Sequence, residues 1–215
     1  MKTVLVVGLG RFGRHMARKL IEEGNEVLAI DINEERADAA AEFIPNVQIG
    51  DTTNEAFIRS LGVNNFDLCV VAIGDNFQSA LETTVLLKDL GGKYILARAS
   101  RDVHKKLLLR NGADHVVYAE REMAERLAVK YGSKKIFDYI AMTKDYAIYE
   151  ISLPAAWKGK NMVELEVRTK YHISILATKR GESIFPLPDP QSHLFTADET
   201  LVVFGHKDMV KALTK

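Results

Sequence analysis

Residues 3–13 read Thr3-Val4-Leu5-Val6-Val7-Gly8-Leu9-Gly10-Arg11-Phe12-Gly13. A short apolar run passes directly into G-x-G-x-x-G, and helical periodicity follows from Arg14 to Glu23, with Gly24 at the stop. Apolar runs of this length that alternate with helical patterns read as buried parallel strands. Gly8 permits a tight turn, Gly10 lets a pyrophosphate approach the backbone, and Gly13 lets the helix pack closely on the strand. The amides of the helix N-terminus then face the phosphates. The glycines alone are a weak signal; their context strengthens it, with a strand before, a helix after, and a second strand, Glu26 to Ile30, ending at Asp31. Asp31 follows Gly13 by 18 residues, where a carboxylate accepts both ribose hydroxyls. It also disfavours a 2′-phosphate, and so NADP.

The same grammar runs on. Asn33 to Phe43 reads as helix, stopped by Pro45; Val47 to Ile49 is strand and Glu55 to Leu61 helix. Leu68 to Ile73 is strand, Phe77 to Leu90 helix, Tyr94 to Ala97 strand and Asp102 to Arg110 helix. His115 to Tyr118 and Glu120 to Tyr131 make the last pair, ended by Gly132. Six strands alternating with six helices predict an α/β fold, a Rossmann-like doubly wound parallel sheet, over residues 1–135. After Lys135 the pattern changes. Tyr146 to Leu153 alternates as a half-exposed strand, Met162 to Tyr171 looks like a short amphipathic helix, and His172 to Thr178 is strand, with a turn at Lys179-Arg180-Gly181. Pro186, Pro188 and Pro190 mark an extended loop, Leu201 to Phe204 a strand and Lys207 to Leu213 a closing helix. Residues 136–215 are therefore a small α+β domain, of a size that favours pairing with a second copy.

Composition narrows the function. The 215 residues carry 29 basic and 29 acidic side chains. They balance at 19 each through Lys135 and 10 each after it, so neither domain is basic enough to bind nucleic acid by counterion release. One cysteine, Cys69, excludes a disulfide framework and a multi-cysteine metal site, and its apolar setting marks a buried structural thiol. No leader precedes the first strand, and no apolar run nears the roughly 18 residues of a membrane span. The expectation is a cytoplasmic protein, peripheral if it serves a membrane process.

Arg11 departs from the pattern of a dehydrogenase. A guanidinium inside the glycine loop reaches terminal phosphates, unless it is simply a solvated surface arginine. Asp51-Thr52 follows the third strand and borders the adenine in such folds; capping the helix near Asn54 is an equally open reading. The six histidines share no ligand spacing, and hydrolase, zincin and P-loop motifs are absent. A nucleotide fold without a catalyst suggests a sensor, against the alternative of an NAD-dependent oxidoreductase with an unusually small substrate domain.

V-V-G-L-G-R-F-G at Val6 to Gly13, E-V-L-A-I-D at Glu26 to Asp31 and V-V-A-I-G at Val70 to Gly74 resemble the RCK (regulator of potassium conductance) family. So do G-A-D at Gly112 to Asp114, V-R-T-K-Y at Val167 to Tyr171 and G-H-K at Gly205 to Lys207. These are cytosolic regulators of Ktr and Trk potassium transporters, and one RCK_N–RCK_C pair is closer to the KtrA type than to the TrkA type. The resemblance implies a non-enzymatic regulatory subunit that binds ATP or ADP, with NAD or NADH the alternative in TrkA-like members. It implies homodimers assembling into an octameric ring beneath an integral-membrane potassium channel subunit of the KtrB or TrkH type. It implies that Gly8, Gly10, Phe12 and Gly13 shape the nucleotide loop and that Arg11 reads the terminal phosphate. Asp31 and Asn33 would serve the ribose, Asp51 and Thr52 the adenine side. Ala72, Ile73 and Gly74 would border the nucleotide, and Arg98 would reach its phosphates. Glu120 would help hold a divalent or monovalent cation between paired sites, or else be a helix-start charge favoured by the dipole. In the second domain the resemblance points to cyclic di-AMP at the dimer interface, held by Asn161, Met162, Arg168, Ile173, Ile175 and Pro188. A plain apolar dimer interface is the other reading of that stretch.

Overall fold

The computed structural model describes residues 1–214. The chain forms two compact units, residues 1–120 and 121–215. The first contains β1 (Thr3–Val7), α1 (Arg11–Glu22), β2 (Glu26–Asp31), α2 (Glu34–Ala41), β3 (Asn46–Ile49), α3 (Glu55–Ser60), β4 (Leu68–Val71), α4 (Phe77–Asp89), β5 (Ile95–Arg98), α5 (Asp102–Arg110) and β6 (His115–Val117). The six strands form one sheet in the order β3-β2-β1-β4-β5-β6, every pair parallel. The Rossmann-like reading is thus the observed architecture. Period-two alternation divides β1 between two cores. Leu5 and Val7 pack with Ile30, Cys69 and Val71 on one face, and Val4 and Val6 pack with Ala29, Val70 and Ala17 on the other. Burial pushes the Cys69 thiol up to about 12, as expected for a structural residue.

Two boundaries shift in ways that matter to the site. Helix α1 begins at Arg11, not Arg14, so the second half of the glycine loop is already helical. Strand β4 stops at Val71. The Ala72 amide still donates to Val7 O at 2.7 Å, but Ile73 and Gly74 leave the sheet as a loop.

Helix α6 (Ala119–Gly132) runs across the division between the units. The sequence reading placed the boundary at Lys135. The observed one is earlier because Val129 packs on the second core and Arg126 forks both oxygens of Asp138 in the next strand. That strand is β7 (Ile136–Ala141), followed by β8 (Tyr146–Ser152), α7 (Val167–Tyr171), β9 (Ile173–Arg180), β10 (Ser183–Pro186), β11 (Thr200–His206) and α8 (Lys207–Leu213). The sheet order is β10-β9-β11-β8-β7, antiparallel throughout. Tyr149 and Ile151 of β8 and Leu201 and Val203 of β11 bury one face against Trp157, Val167, Phe195 and Val210.

Strands β7 and β10 were not expected. The β9–β10 turn is Gly181-Glu182, with Arg180 paired to Ser183, so the turn begins after Arg180. Gly181 has φ +56°, the sign a two-residue hairpin needs at its first central position. The expected helix Met162–Tyr171 is two pieces. A first turn closes on itself: Val167 N donates to Met162 O and Glu166 N to Val163 O, with Glu166 left-handed at φ 49°. This is a Schellman stop with glutamate where glycine is usual, and only Val167–Tyr171 continue as helix.

Candidate functional site: a cleft at the carboxyl ends of the parallel strands

The loops after β1, β2, β3 and β4 enclose a cleft of about 980 Å³. It lies where the strand order reverses between β1 and β4, the usual place for a ligand in an open α/β sheet. Gly8 turns the chain at φ +93°, and its amide donates to Ile30 O at 2.7 Å. A Cβ on Gly13 would collide with the Gly8 carbonyl, whereas one on Gly10 would meet nothing. So Gly13 permits the packing of α1, and the open backbone lies at Gly10. Gly10 is the N-cap of α1 without a side-chain cap, which leaves the helix-start amides for an acceptor from outside.

Asp31 ends β2 and is buried, 5% exposed. Its Oδ2 accepts the Leu9 amide at 2.6 Å and its Oδ1 the Asn33 amide at 2.8 Å. The carboxylate thus ties the glycine loop to the start of α2. Asn33 itself does not line the cleft; it is the N-cap of α2, accepting from Arg36 N at 2.8 Å.

After β3, Asp51 and Thr52 line the cleft. Asp51 accepts the Thr53 hydroxyl at 2.7 Å and the Thr53 amide at 2.9 Å, and these bonds hold its carboxyl below the usual range. The Thr52 hydroxyl is paired with that of Thr83 at 2.9 Å on α4. The cap of α3 is Asn54, which accepts from Phe57 N, so the capping alternative for Asp51-Thr52 does not hold.

Across the cleft stand Ala72, Ile73 and Gly74 with Arg98 from the end of β5. The Arg98 guanidinium lies so close to Gly74 that a Cβ there would collide with Nη1. It pairs with Glu120 in the first turn of α6 and stacks 5.7 Å from the Phe12 ring centroid. Its Nε–H is buried with no partner among the described residues, a donor that an anion in the cleft could satisfy. The Glu120 carboxyl sits below the usual glutamate range through a bond from its own backbone amide, opposed by partial burial and reinforced by Arg98. Arg11 is exposed at the mouth and has no hydrogen-bonded partner among the described residues. No group of three His, Cys, Asp or Glu side chains among them could hold a metal ion. Glu120 alone offers a single carboxylate, already facing Arg98.

The cleft also contains residues that sequence reasoning passed over: Arg14, Glu35, Arg36, Asp75, Asn76 and Ser79. Arg36 sits five residues after Asp31 and Asp75 directly follows V-V-A-I-G. That proximity was the available signal, but their pairing at 3.2 Å depends on the sheet order.

In the second unit a hollow of about 530 Å³ is lined by Met162, Arg168, Ile175 and Pro188, with Leu187 and Pro190 beside them. Asn161 and Ile173 are not in it. The Asn161 side chain accepts the Val163 and Glu164 amides at 3.0 and 2.9 Å, so those amides are already satisfied. The helix start expected there does not form. Ile173 is 2% exposed in the core. Ile175, two residues on in regular register, shares that face of β9 and packs against the same core at its edge, where it also borders the hollow.

Among the described residues no helix is long and apolar enough to cross a membrane. Residues 4–119 match the TrkA-N domain family and residues 146–215 the TrkA-C domain family. The chain is 38% identical over 204 residues to Ktr system potassium uptake protein C of Bacillus subtilis, covering 95% of this chain and 92% of the relative. It is 36% identical over 210 residues to Ktr system potassium uptake protein A of the same organism, covering 98% and 94%. Among solved structures, the GsuK channel bound to NAD superposes with a TM-score of 0.68 at 20% identity, over 99% of this chain and 38% of that one. That likeness supports the fold. The family resemblance read from the glycine loop and the second domain is therefore met along the whole chain: this protein belongs to the TrkA-N/TrkA-C (RCK) family of Ktr- and Trk-type potassium uptake proteins.

Proposed function

We propose that the chain is the cytosolic, non-enzymatic regulatory subunit of a Ktr-type potassium uptake channel, and that ATP and ADP compete for its cleft. The observation that carries this reading is the charge arrangement around the glycine loop. A buried ribose-type carboxylate, Asp31, stands at one end, while Arg98 and the uncommitted Arg11 stand at the phosphate end. Arg11 reads the terminal phosphate, so the two nucleotides make different contacts, which is what a ligand needs to shift a gating equilibrium.

The remaining parts follow the family. Homodimers assemble into a ring of eight that docks on a membrane-embedded channel subunit at the inner face of the membrane. Glu120 supplies one carboxylate to a cation shared between copies, since the described residues of one chain bring no second and third ligand beside it. The hollow at Met162, Arg168, Ile175 and Pro188 receives cyclic di-AMP across a two-fold pair, with Arg168 on the phosphate.

Calorimetry tests the core of the reading. ATP and ADP should bind with different affinities, and Arg11→Ala should narrow the difference while leaving the adenosine end intact. Equal losses for adenosine, ADP and ATP would assign Arg11 to folding. Tight NADH binding with no response to ATP would instead support the NAD(H)-sensing alternative.

A further inference from the structure

Arg36 and Asp75 line the nucleotide cleft from opposite sides and meet across it, Nη2 to Oδ2 at 3.2 Å. Arg36 stands in the first turn of α2, following β2; Asp75 stands in the loop after β4. In the sheet these strands flank β1, so the pair passes over the end of β1, above the loop that Asp31 anchors. An arginine close behind the acidic residue of the second strand is the group that receives a 2′-phosphate where such folds accept one. Here that arginine is occupied. Its partner is 82% exposed and Arg36 48%, so the pair is held loosely and is open to competition from another anion. Glu35, its neighbour on the same turn, also lines the cleft and adds negative charge without pairing.

We propose that Asp75 is a specificity-determining residue: by engaging Arg36 across the cleft it withholds that guanidinium and disfavours nucleotides phosphorylated on the adenosine 2′-oxygen. The inference rests on the nucleotide reading of the cleft and adds a second determinant to Asp31. Asp31 selects for a free diol by accepting from it. Asp75 acts against the competitor, by occupying its cation. A sensor that must report on ATP and ADP benefits from ignoring abundant 2′-phosphorylated dinucleotides that share the adenosine.

The test uses 5′-AMP and adenosine 2′,5′-bisphosphate, which differ only in the 2′-phosphate, titrated against the full chain at low and at high salt. Asp75→Asn should raise affinity for the bisphosphate relative to 5′-AMP by about three- to fivefold, the scale of one exposed ion pair. The gain should shrink at high salt, and adding Arg36→Ala to Asp75→Asn should abolish it. An unchanged ratio in Asp75→Asn, with 5′-AMP still bound, overturns this inference alone. A gain that survives Arg36→Ala overturns it too, since the phosphate would then sit elsewhere. If the unsubstituted chain binds neither 5′-AMP nor ATP, the nucleotide reading falls and takes this inference with it.

Discussion

The Asp31 carboxylate accepts the Leu9 and Asn33 amides through one lone pair on each oxygen, and each oxygen retains a second for a hydroxyl donor. One side chain thereby shapes the loop and offers the ribose site. Asp31→Ala should cost the empty protein about 1–3 kcal/mol in urea unfolding, because two amides lose a charged acceptor. ATP and ADP should weaken alike, since both present the same ribose. Asp31→Asn, which keeps one acceptor oxygen, should fall between. Unchanged affinity for both nucleotides in a folded Asp31→Ala protein would remove Asp31 from the site. Its position was legible in the sequence because the spacing from Gly13 and the end of a strand fixed it. Its structural duty was not, because the Leu9 contact exists only once β1 and β2 are paired.

Legibility at the scale of elements follows burial. The parallel strands were read correctly because both faces of β1 and β4 are apolar, and glycine, asparagine or proline marks the helix stops. Strand β10 is exposed along its whole length, so no alternation announces it, and β7, at the other edge, has one buried residue. The helix over Met162 to Tyr171 failed at Glu166, where a left-handed stop is occupied by a residue that gives no warning of it. Glu166→Gly should therefore stabilise the second unit by about 1 kcal/mol, seen as a higher urea midpoint with an unchanged slope. A lower midpoint would mean that the Glu166 side chain contributes more than its backbone costs. Between β9 and β11 lies a buried charge: the Glu199 side chain is fully enclosed and accepts from Arg180 at 2.7 Å and from Thr196 N at 3.2 Å, with His193 Nε2 at 3.2 Å. Burial alone would raise its carboxyl; the Arg180 bond, the Thr196 amide and His193 outweigh it and hold the group below the usual 4.5. A carboxyl depressed by folding stabilises above its unfolded value, and that contribution is lost as pH falls below about 4.5. Glu199→Gln should cost about 1–3 kcal/mol at neutral pH and flatten the acid limb of the stability profile. An unchanged acid limb would place the pH dependence in other carboxyls.

For the whole molecule, the sequence made the order of the two domains plain but placed their division too late, because α6 is helical on both sides of Glu120 and composition does not change there. The ring assembly predicts a definite mass. Light scattering should find dimers or particles of about eight times the 24.0 kDa chain, shifting toward the larger species with nucleotide; a clean monomer at high concentration would remove the ring mechanism. Such assembly demands that copies meet only where they should, and here the outermost strand of the second sheet matters. Strand β10 presents Ile184 and Phe185 largely to solvent, and a free strand edge of this kind invites another chain to add to it. It is four residues long and closes on Pro186, which has no amide hydrogen to donate. An incoming strand finds a template too short to extend, so copies of this chain that crowd together are protected at this edge from growing into fibres.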